Sequence, residues 1–252
     1  MTLGPTVTIP AADFDAVVFD MDGVVTQTAT VHAAAWKALF DAFLQERAQH
    51  GGAPFRPFDV ESDYLPYVDG KARYDGVRDF LASRGIELPW GDPADPPEAE
   101  TVCGLGNRKN DYFLQAVAEQ GVRPFPTTVT LIRQLHAAGV RTAIISASKN
   151  ASAILDAAGV RDLFAAQVDG TVAERLGLPG KPDPAVFVEA ARRLGAEPPR
   201  AVVVEDAEAG VEAGHRGGFG LVIGVDRSDH AAALREHGAG VVVKDLGEVA
   251  VG

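Results

Sequence analysis

Apolar residues follow two different periods along this chain. From Val31 through Ala48 they recur at helical spacing, at Val31, Ala34, Ala35, Ala38, Leu39, Ala42 and Phe43, which predicts an amphipathic helix stopped by Gly51-Gly52-Ala53-Pro54. A second helical pattern covers Ala72 to Ser83, with Val77, Phe80 and Leu81 on one face and Gly85 as its cap. A third runs from Glu98 to Gln120 and reads as interrupted near Gly104 and Gly106. Elsewhere short apolar runs take over. Ala16-Val17-Val18-Phe19 predicts a buried strand, and beyond Pro126 short helices alternate with strands at Val140–Ser146, Ala165–Val168, Ala201–Val204, Phe219–Ile223 and Val241–Val243. That alternation predicts an α/β fold, a doubly wound parallel-sheet (Rossmann-like) core. The strand-free region between is an insertion, so residues 1–28 and 122–252 are expected to form the core and 29–121 an inserted α-helical cap domain. Between them Val24-Val25-Thr26-Gln27-Thr28 is small and β-branched and reads as a short extended flap.

Polar residues sharpen this picture where they meet strand ends. Asp20-Met21-Asp22-Gly23 follows the first strand at once, and if the extension persists both carboxylates leave on the same side. Two like charges that close repel unless a cation or a phosphate-binding partner compensates them, and a hard divalent ion with oxygen ligands, Mg²⁺ above all, is the natural compensator. Taken alone the stretch is as readily a turn. The next strand end carries Ser146-Ala147-Ser148-Lys149-Asn150, a later one Glu205-Asp206, and the loop Gly180-Lys181-Pro182-Asp183-Pro184 precedes a helix. In an open parallel sheet ligands bind outside the carboxyl ends of the strands, so these four segments converge on one edge. Acids, a hydroxyl and a lysine suit phosphoryl transfer. One aspartate can be the nucleophile and the other the acid and base, Asp206 completes an all-oxygen metal site, and Glu205 either ligates or holds a metal-bound water. Ser146 and Lys181 can take the phosphoryl oxygens. Each has a plainer reading: Ser146 as a helix N-cap, Lys181 as a solvated loop residue, Glu205-Asp206 as company for a helix dipole. Their joint occurrence in one order argues for the site.

The net charge of −12 argues against nucleic acid or an anionic membrane as the main partner, and makes the few placed cations more informative. With 46% hydrophobic and 23% charged residues the composition is globular. A single cysteine, Cys103, excludes an internal disulfide framework. Met1 to Ala12 lacks the pattern of a leader, and a cytoplasmic location is expected.

Asp20-Met21-Asp22-Gly23-Val24, Ser146, Lys181-Pro182 and Glu205-Asp206 match, in order, the four motifs of the haloacid dehalogenase-like superfamily. Thr28, His32-Ala33-Ala34-Ala35-Trp36-Lys37-Ala38-Leu39, Arg108-Lys109-Asn110-Asp111 and Ser146–Asn150 resemble its β-phosphoglucomutase subfamily. The resemblance implies a phosphomutase that interconverts β-D-glucose 1-phosphate and glucose 6-phosphate through an aspartyl-phosphate and a bound sugar bisphosphate, with Mg²⁺ as cofactor. By the same resemblance Asp20 is the nucleophile and Asp22 the acid and base whose main-chain carbonyl reaches the metal. Glu205 and Asp206 complete the metal set, and Ser146 and Lys181 hold the phosphate. Gly70, Lys71 and Arg73 form the substrate loop, with Lys109 and His32 assisting from the cap, Thr28 from the hinge, and Ser148, Lys149 and Asn150 from the core. Trp36 reads as cap packing. Gln27 and Asp69 depart from the subfamily pattern, and the cap carries extra loops around Gly51–Asp63 and Pro89–Glu98. Two rival readings are a Mg²⁺-dependent sugar-phosphate phosphatase of the same superfamily and a non-catalytic phosphosugar-binding module. The expected partner is a small phosphorylated sugar, with no nucleic acid and no membrane, and the chain is expected to be a monomer.

Overall fold

The computed structural model describes residues 7–227 and 229–252. The first six residues, part of the stretch read as lacking a leader, lie outside them. Two units emerge, Met1–Gln27 with Val122–Gly252, and Thr28–Gly121.

In the first unit β1 (Val7–Ile9) precedes β2 (Ala16–Asp20), which is buried along its whole length. The inserted unit supplies α1 (Ala29–Gln49), α2 (Leu65–Tyr67), α3 (Arg73–Ser83) and α4 (Val102–Gln120). The chain then returns through α5 (Pro126–Ala137), β3 (Arg141–Ile145), α6 (Ala151–Ala158), β4 (Ala166–Val168), α7 (Gly170–Leu176) and α8 (Ala185–Arg193). It ends with β5 (Ala201–Glu205), α9 (Glu208–Arg216), β6 (Leu221–Val225), α10 (Ala231–Glu236), β7 (Val241–Val243) and β8 (Val249–Val251).

Six of these strands form a sheet in the order β4-β3-β2-β5-β6-β7, and β1 pairs separately with β8. Every pairing in the large sheet is parallel. The chain steps outward from β2 to β4, then returns to the opposite side of β2 with β5. Between β2 and β5 the order reverses, and that reversal opens a crevice at the carboxyl ends of the strands. The register sets Phe19 of β2 beside Val204 of β5 and Asp20 beside Ile145 of β3. Val18, Ile145 and Val203 join Val186, Phe187 and Ala190 of α8 and Val211 of α9 in one core. The alternate residues Val17, Phe19, Ile144, Val202 and Val204 are equally buried and face the other way. Burial on both faces is why these strands read as unbroken apolar runs.

The insert contains no strand. Its core gathers Trp36, Leu39, Phe40 and Phe43 of α1 with Phe58, Val77, Phe80, Leu81 and Leu105. Phe40 is the centre of an aromatic stack, with ring centroids at 5.3 Å from Trp36, 5.1 Å from Phe58 and 4.1 Å from Phe80. Phe40→Ala should therefore cost about 3–5 kcal/mol in urea unfolding, with faster hydrogen exchange confined to the insert.

Several expectations are corrected. The flap is a tight turn: Val25 N and Thr26 N both donate to Met21 O at 2.9 Å, and Thr26 Oγ1 adds a third bond at 3.1 Å. β-branched residues gave no warning of that closure. The third helix is not interrupted. It starts at an N-cap, Thr101, whose hydroxyl accepts from Gly104 N at 2.9 Å, and its glycines serve packing. A Cβ on Gly106 would lie 2.6 Å from the Tyr74 ring. Strand β6 runs two residues later than expected, because Gly220 is spent in a turn that bonds Pro198 O and Ala201 O. Unforeseen were α7 and, too short to show a period, β1, β8 and a π-type turn at Val60–Tyr64. Among the described residues no helix is long and apolar enough to cross a membrane.

Candidate active site

Asp20 ends β2 and Glu205 ends β5, so the strand reversal itself brings the two carboxylates together. Asp206 follows by one residue. One oxygen from each of the three lies within 4.8 Å of the others, and all three residues are buried. Lys181, with its side chain only 3% exposed, donates to Asp20 Oδ1 at 2.6 Å and also to Glu205 Oε1. Glu205 Oε2 accepts from Ala207 N at 2.7 Å, which fixes its carboxylate. Lys181 is no solvated loop residue. Burial acts against its charge, yet Asp20 and Glu205 hold the amine above its ordinary value. Burial pushes the Asp20 carboxyl well up, and the charges of Glu205 and Asp22 add to that against the pull of Lys181.

Asp22 sits in the turn after β2, joined to Thr26 by a bridge. Ser146, the residue after β3, donates its hydroxyl to Asp22 Oδ2 at 3.4 Å and accepts from Ser148 N at 3.0 Å. It is not a helix N-cap: that position of α6 belongs to Asn150. Gly23 is required where it stands. Its φ is +81°, and a Cβ there would fall 1.7 Å from Asp206 Oδ2. Gly23→Ala should consequently displace Asp206 and cost about 1–3 kcal/mol in thermal unfolding, with weakened divalent-cation binding in a titration calorimeter.

Among the described residues Lys181 is ion-paired with two of these carboxylates, Asp20 and Glu205. The excess negative charge, the all-oxygen donors and their mutual approach fit a hard divalent ion such as Mg²⁺. The Asp22 side chain lies outside that cluster.

The remaining expected residues divide between the units. Ser148 accepts from Asn150 N at 3.1 Å and so shapes the loop after β3. Lys149, expected at the substrate, is paired with Glu174 of the unforeseen α7 at 2.8 Å. In the insert Thr28 is the N-cap of α1 and His32 N donates to its carbonyl at 2.9 Å. Lys109 is buried, 2.6 Å from His32 Nδ1, and lies over the rings of Trp36 and Phe113. An ammonium only donates, so Nδ1 is the acceptor. Trp36 is packing, as expected. Gly70 turns with φ +70°, and Lys71 beside it is ion-paired with Asp79 at 3.0 Å. Arg73 donates to Asn110 Oδ1 at 2.8 Å and Asn107 Oδ1 at 3.4 Å, and burial lowers its basicity.

Sequence reasoning passed over Asp226, Arg227 and His230. Arg227 Nε donates to Gly23 O at 2.9 Å and His230 Nε2 lies 3.1 Å from Asp206 O. Placing the end of β6 two residues early hid them, since Asp226 directly follows that strand just as Asp206 follows β5.

The family model for haloacid dehalogenase-like hydrolases matches residues 14–218. A β-phosphoglucomutase of Mycobacterium bovis is 47% identical over 237 residues, spanning 93% of this chain and 90% of that one. A trehalose-phosphate phosphatase of Mycobacterium leprae is 44% identical over 132 residues, 51% of this chain but 29% of its own length. The crystal structure of a β-phosphoglucomutase from Clostridium difficile shares the fold with TM-score 0.71 at 23% identity, covering 93% of this chain and 92% of that one. Fold and site thus define an enzyme acting on phosphate, and the reading as a non-catalytic module falls away. The chain belongs to the haloacid dehalogenase-like hydrolase family.

Proposed function

We propose that this enzyme is a phosphomutase that interconverts β-D-glucose 1-phosphate and glucose 6-phosphate through an aspartyl-phosphate and a bound sugar bisphosphate. The observation that carries the chemistry is Asp20, buried at the end of β2 with Lys181 on one oxygen and two further carboxylates at hand. Similarity to the M. bovis β-phosphoglucomutase over nearly the full length of both chains supports the substrate.

A carboxylate oxygen of Asp20 takes the phosphoryl group and passes it to a sugar hydroxyl, then accepts the second phosphoryl group of the bisphosphate in return. Asp22 removes the proton of the attacking hydroxyl and returns it to the departing sugar oxygen. Lys181 and Ser146 hold phosphoryl oxygens. The side chains of Asp20, Glu205 and Asp206 and the carbonyl of Asp22 would hold Mg²⁺, which when bound offsets negative charge on the phosphoryl group. In the insert Arg73, Lys109 and His32 are the substrate-recognition groups, with Thr28, Gly70 and Lys71 shaping their surroundings. Arginine suits a phosphate because its planar fork donates two parallel bonds. Ser148, Lys149 and Asn150 are the sugar contacts of the core; for Lys149 that role requires the Glu174 pair to open.

Asp22→Asn should lower kcat by roughly 10²–10⁴-fold while leaving Mg²⁺ affinity unchanged, since the main-chain carbonyl remains. Steady-state kinetics beside a Mg²⁺ titration check both halves.

The second reading is a sugar-phosphate phosphatase, favoured by the stretch shared with the M. leprae phosphatase. Water in place of a sugar hydroxyl separates the two. A coupled assay for glucose 6-phosphate from β-glucose 1-phosphate, primed with the bisphosphate and run beside inorganic phosphate release, tests them. Isomerisation dependent on the primer is expected; phosphate release without isomerisation overturns the mutase.

A further inference from the structure

Strand β6 pairs with β5 and β7 and has no ladder with β2. Arg227 and His230, which follow it, nevertheless reach the loops of both β2 and β5. Arg227 Nε donates to the carbonyl of Gly23 at 2.9 Å, next to Asp22, and His230 Nε2 meets the carbonyl of Asp206 at 3.1 Å. A carbonyl oxygen only accepts, so this places the proton of the imidazole on Nε2.

Both residues are themselves anchored. Asp226, with 3% of its side chain exposed, accepts His230 N at 2.8 Å and donates its own N–H to Val243 O at 2.8 Å. Arg227 lays its guanidinium 3.9 Å from the Phe125 ring centroid and bonds Lys244 O at 3.2 Å. The two targets touch as well, because Gly23 and the Asp206 carboxylate leave no room for a Cβ between them.

We propose that Asp226, Arg227 and His230 form a brace that positions the acid–base turn and the metal-binding loop relative to each other, with Arg227 and His230 acting as positioning residues. The proposal rests on the phosphoryl-transfer reading above. Asp20, Asp22, Glu205 and Asp206 repel one another, and Lys181 answers two of them. Bonds to main-chain carbonyls hold the chain in place whatever the charge on the carboxylates. The crevice then keeps its spacing before a cation arrives, and less reorganisation accompanies binding.

The test uses Mg²⁺ alone as the calorimetric probe, with hydrogen exchange on the metal-free protein. His230→Leu should weaken Mg²⁺ binding by roughly 10-fold or more and speed exchange at Ala207. His230→Gln keeps an N–H at the reach of Nε2 and should restore both, whereas His230→Asn, whose N–H sits at the reach of Nδ1, should not. Arg227→Met should lower kcat with KM little changed and speed exchange at Val25 and Thr26. A purely structural role would make affinity follow the thermal midpoint across the series and not the Nε2 donor. Unchanged Mg²⁺ affinity in a folded His230→Leu protein overturns the brace. If the parent protein binds no Mg²⁺, the cation reading of the site fails instead, and exchange decides the brace: faster exchange at Thr26 and Ala207 in the variants upholds it, unchanged exchange overturns it.

Discussion

Replacing Asp20 with asparagine should abolish turnover, by at least ~10⁴-fold, while the protein stays folded. An amide nitrogen or oxygen does not replace a carboxylate as phosphoryl acceptor, so the loss falls on the chemical step. Asparagine has almost the same shape, and Lys181 keeps Glu205 as its charged partner, so the site does not collapse. Labelled sugar phosphate should leave an acyl-phosphate on the parent protein and none on Asp20→Asn. Label retained by the variant would mean another nucleophile.

Lys181→Met should have the largest effect on stability of any substitution in the site. It removes the buried cation paired with Asp20 and Glu205 and leaves their buried carboxylates facing each other. Breaking a buried pair in this way costs about 3–5 kcal/mol, which for a chain of this length lowers the midpoint of thermal unfolding by roughly 6–20 °C. Mg²⁺ should recover part of that loss, because a cation bound only by the folded state stabilises it by mass action. Calorimetric scans with and without Mg²⁺ check this. A midpoint within a degree of the parent would show that the carboxylates are compensated by some other route.

These residues were legible because the candidate site lies where short apolar runs stop. Asp20, Ser146 and Glu205 each end or follow a strand buried on both faces, and such strands announce themselves as continuous Val, Ile and Ala. The long helices α1 and α4 were legible by period. Resemblance to the haloacid dehalogenases implies different roles for Asp20 and Asp22, a distinction that spacing alone left open. What stayed hidden was of two kinds. Ion-pair partners such as Asp79 for Lys71 and Glu174 for Lys149 follow no local rule, because tertiary packing chooses them. Elements of three residues, β1 and β8 among them, are shorter than any period, and a misjudged end of β6 concealed Arg227 and His230 behind two residues.

The turn after β2 and the segment before α5 run side by side where the chain departs for the insert and comes back. Gln27 N bonds Arg123 O and Phe125 N bonds Val25 O, both at 2.9 Å, with Thr26 and Pro124 bridged antiparallel between them. Exit and re-entry are therefore stitched into a two-rung neck belonging wholly to the α/β unit. A neck of that kind is a splice junction: whatever polypeptide is threaded between Gln27 and Arg123, long or short, starts and finishes at the same two points. On the proposed reading, in which Arg73, Lys109 and His32 of the insert recognise the substrate, the insert is then an exchangeable cassette whose replacement leaves the carboxylates in their places.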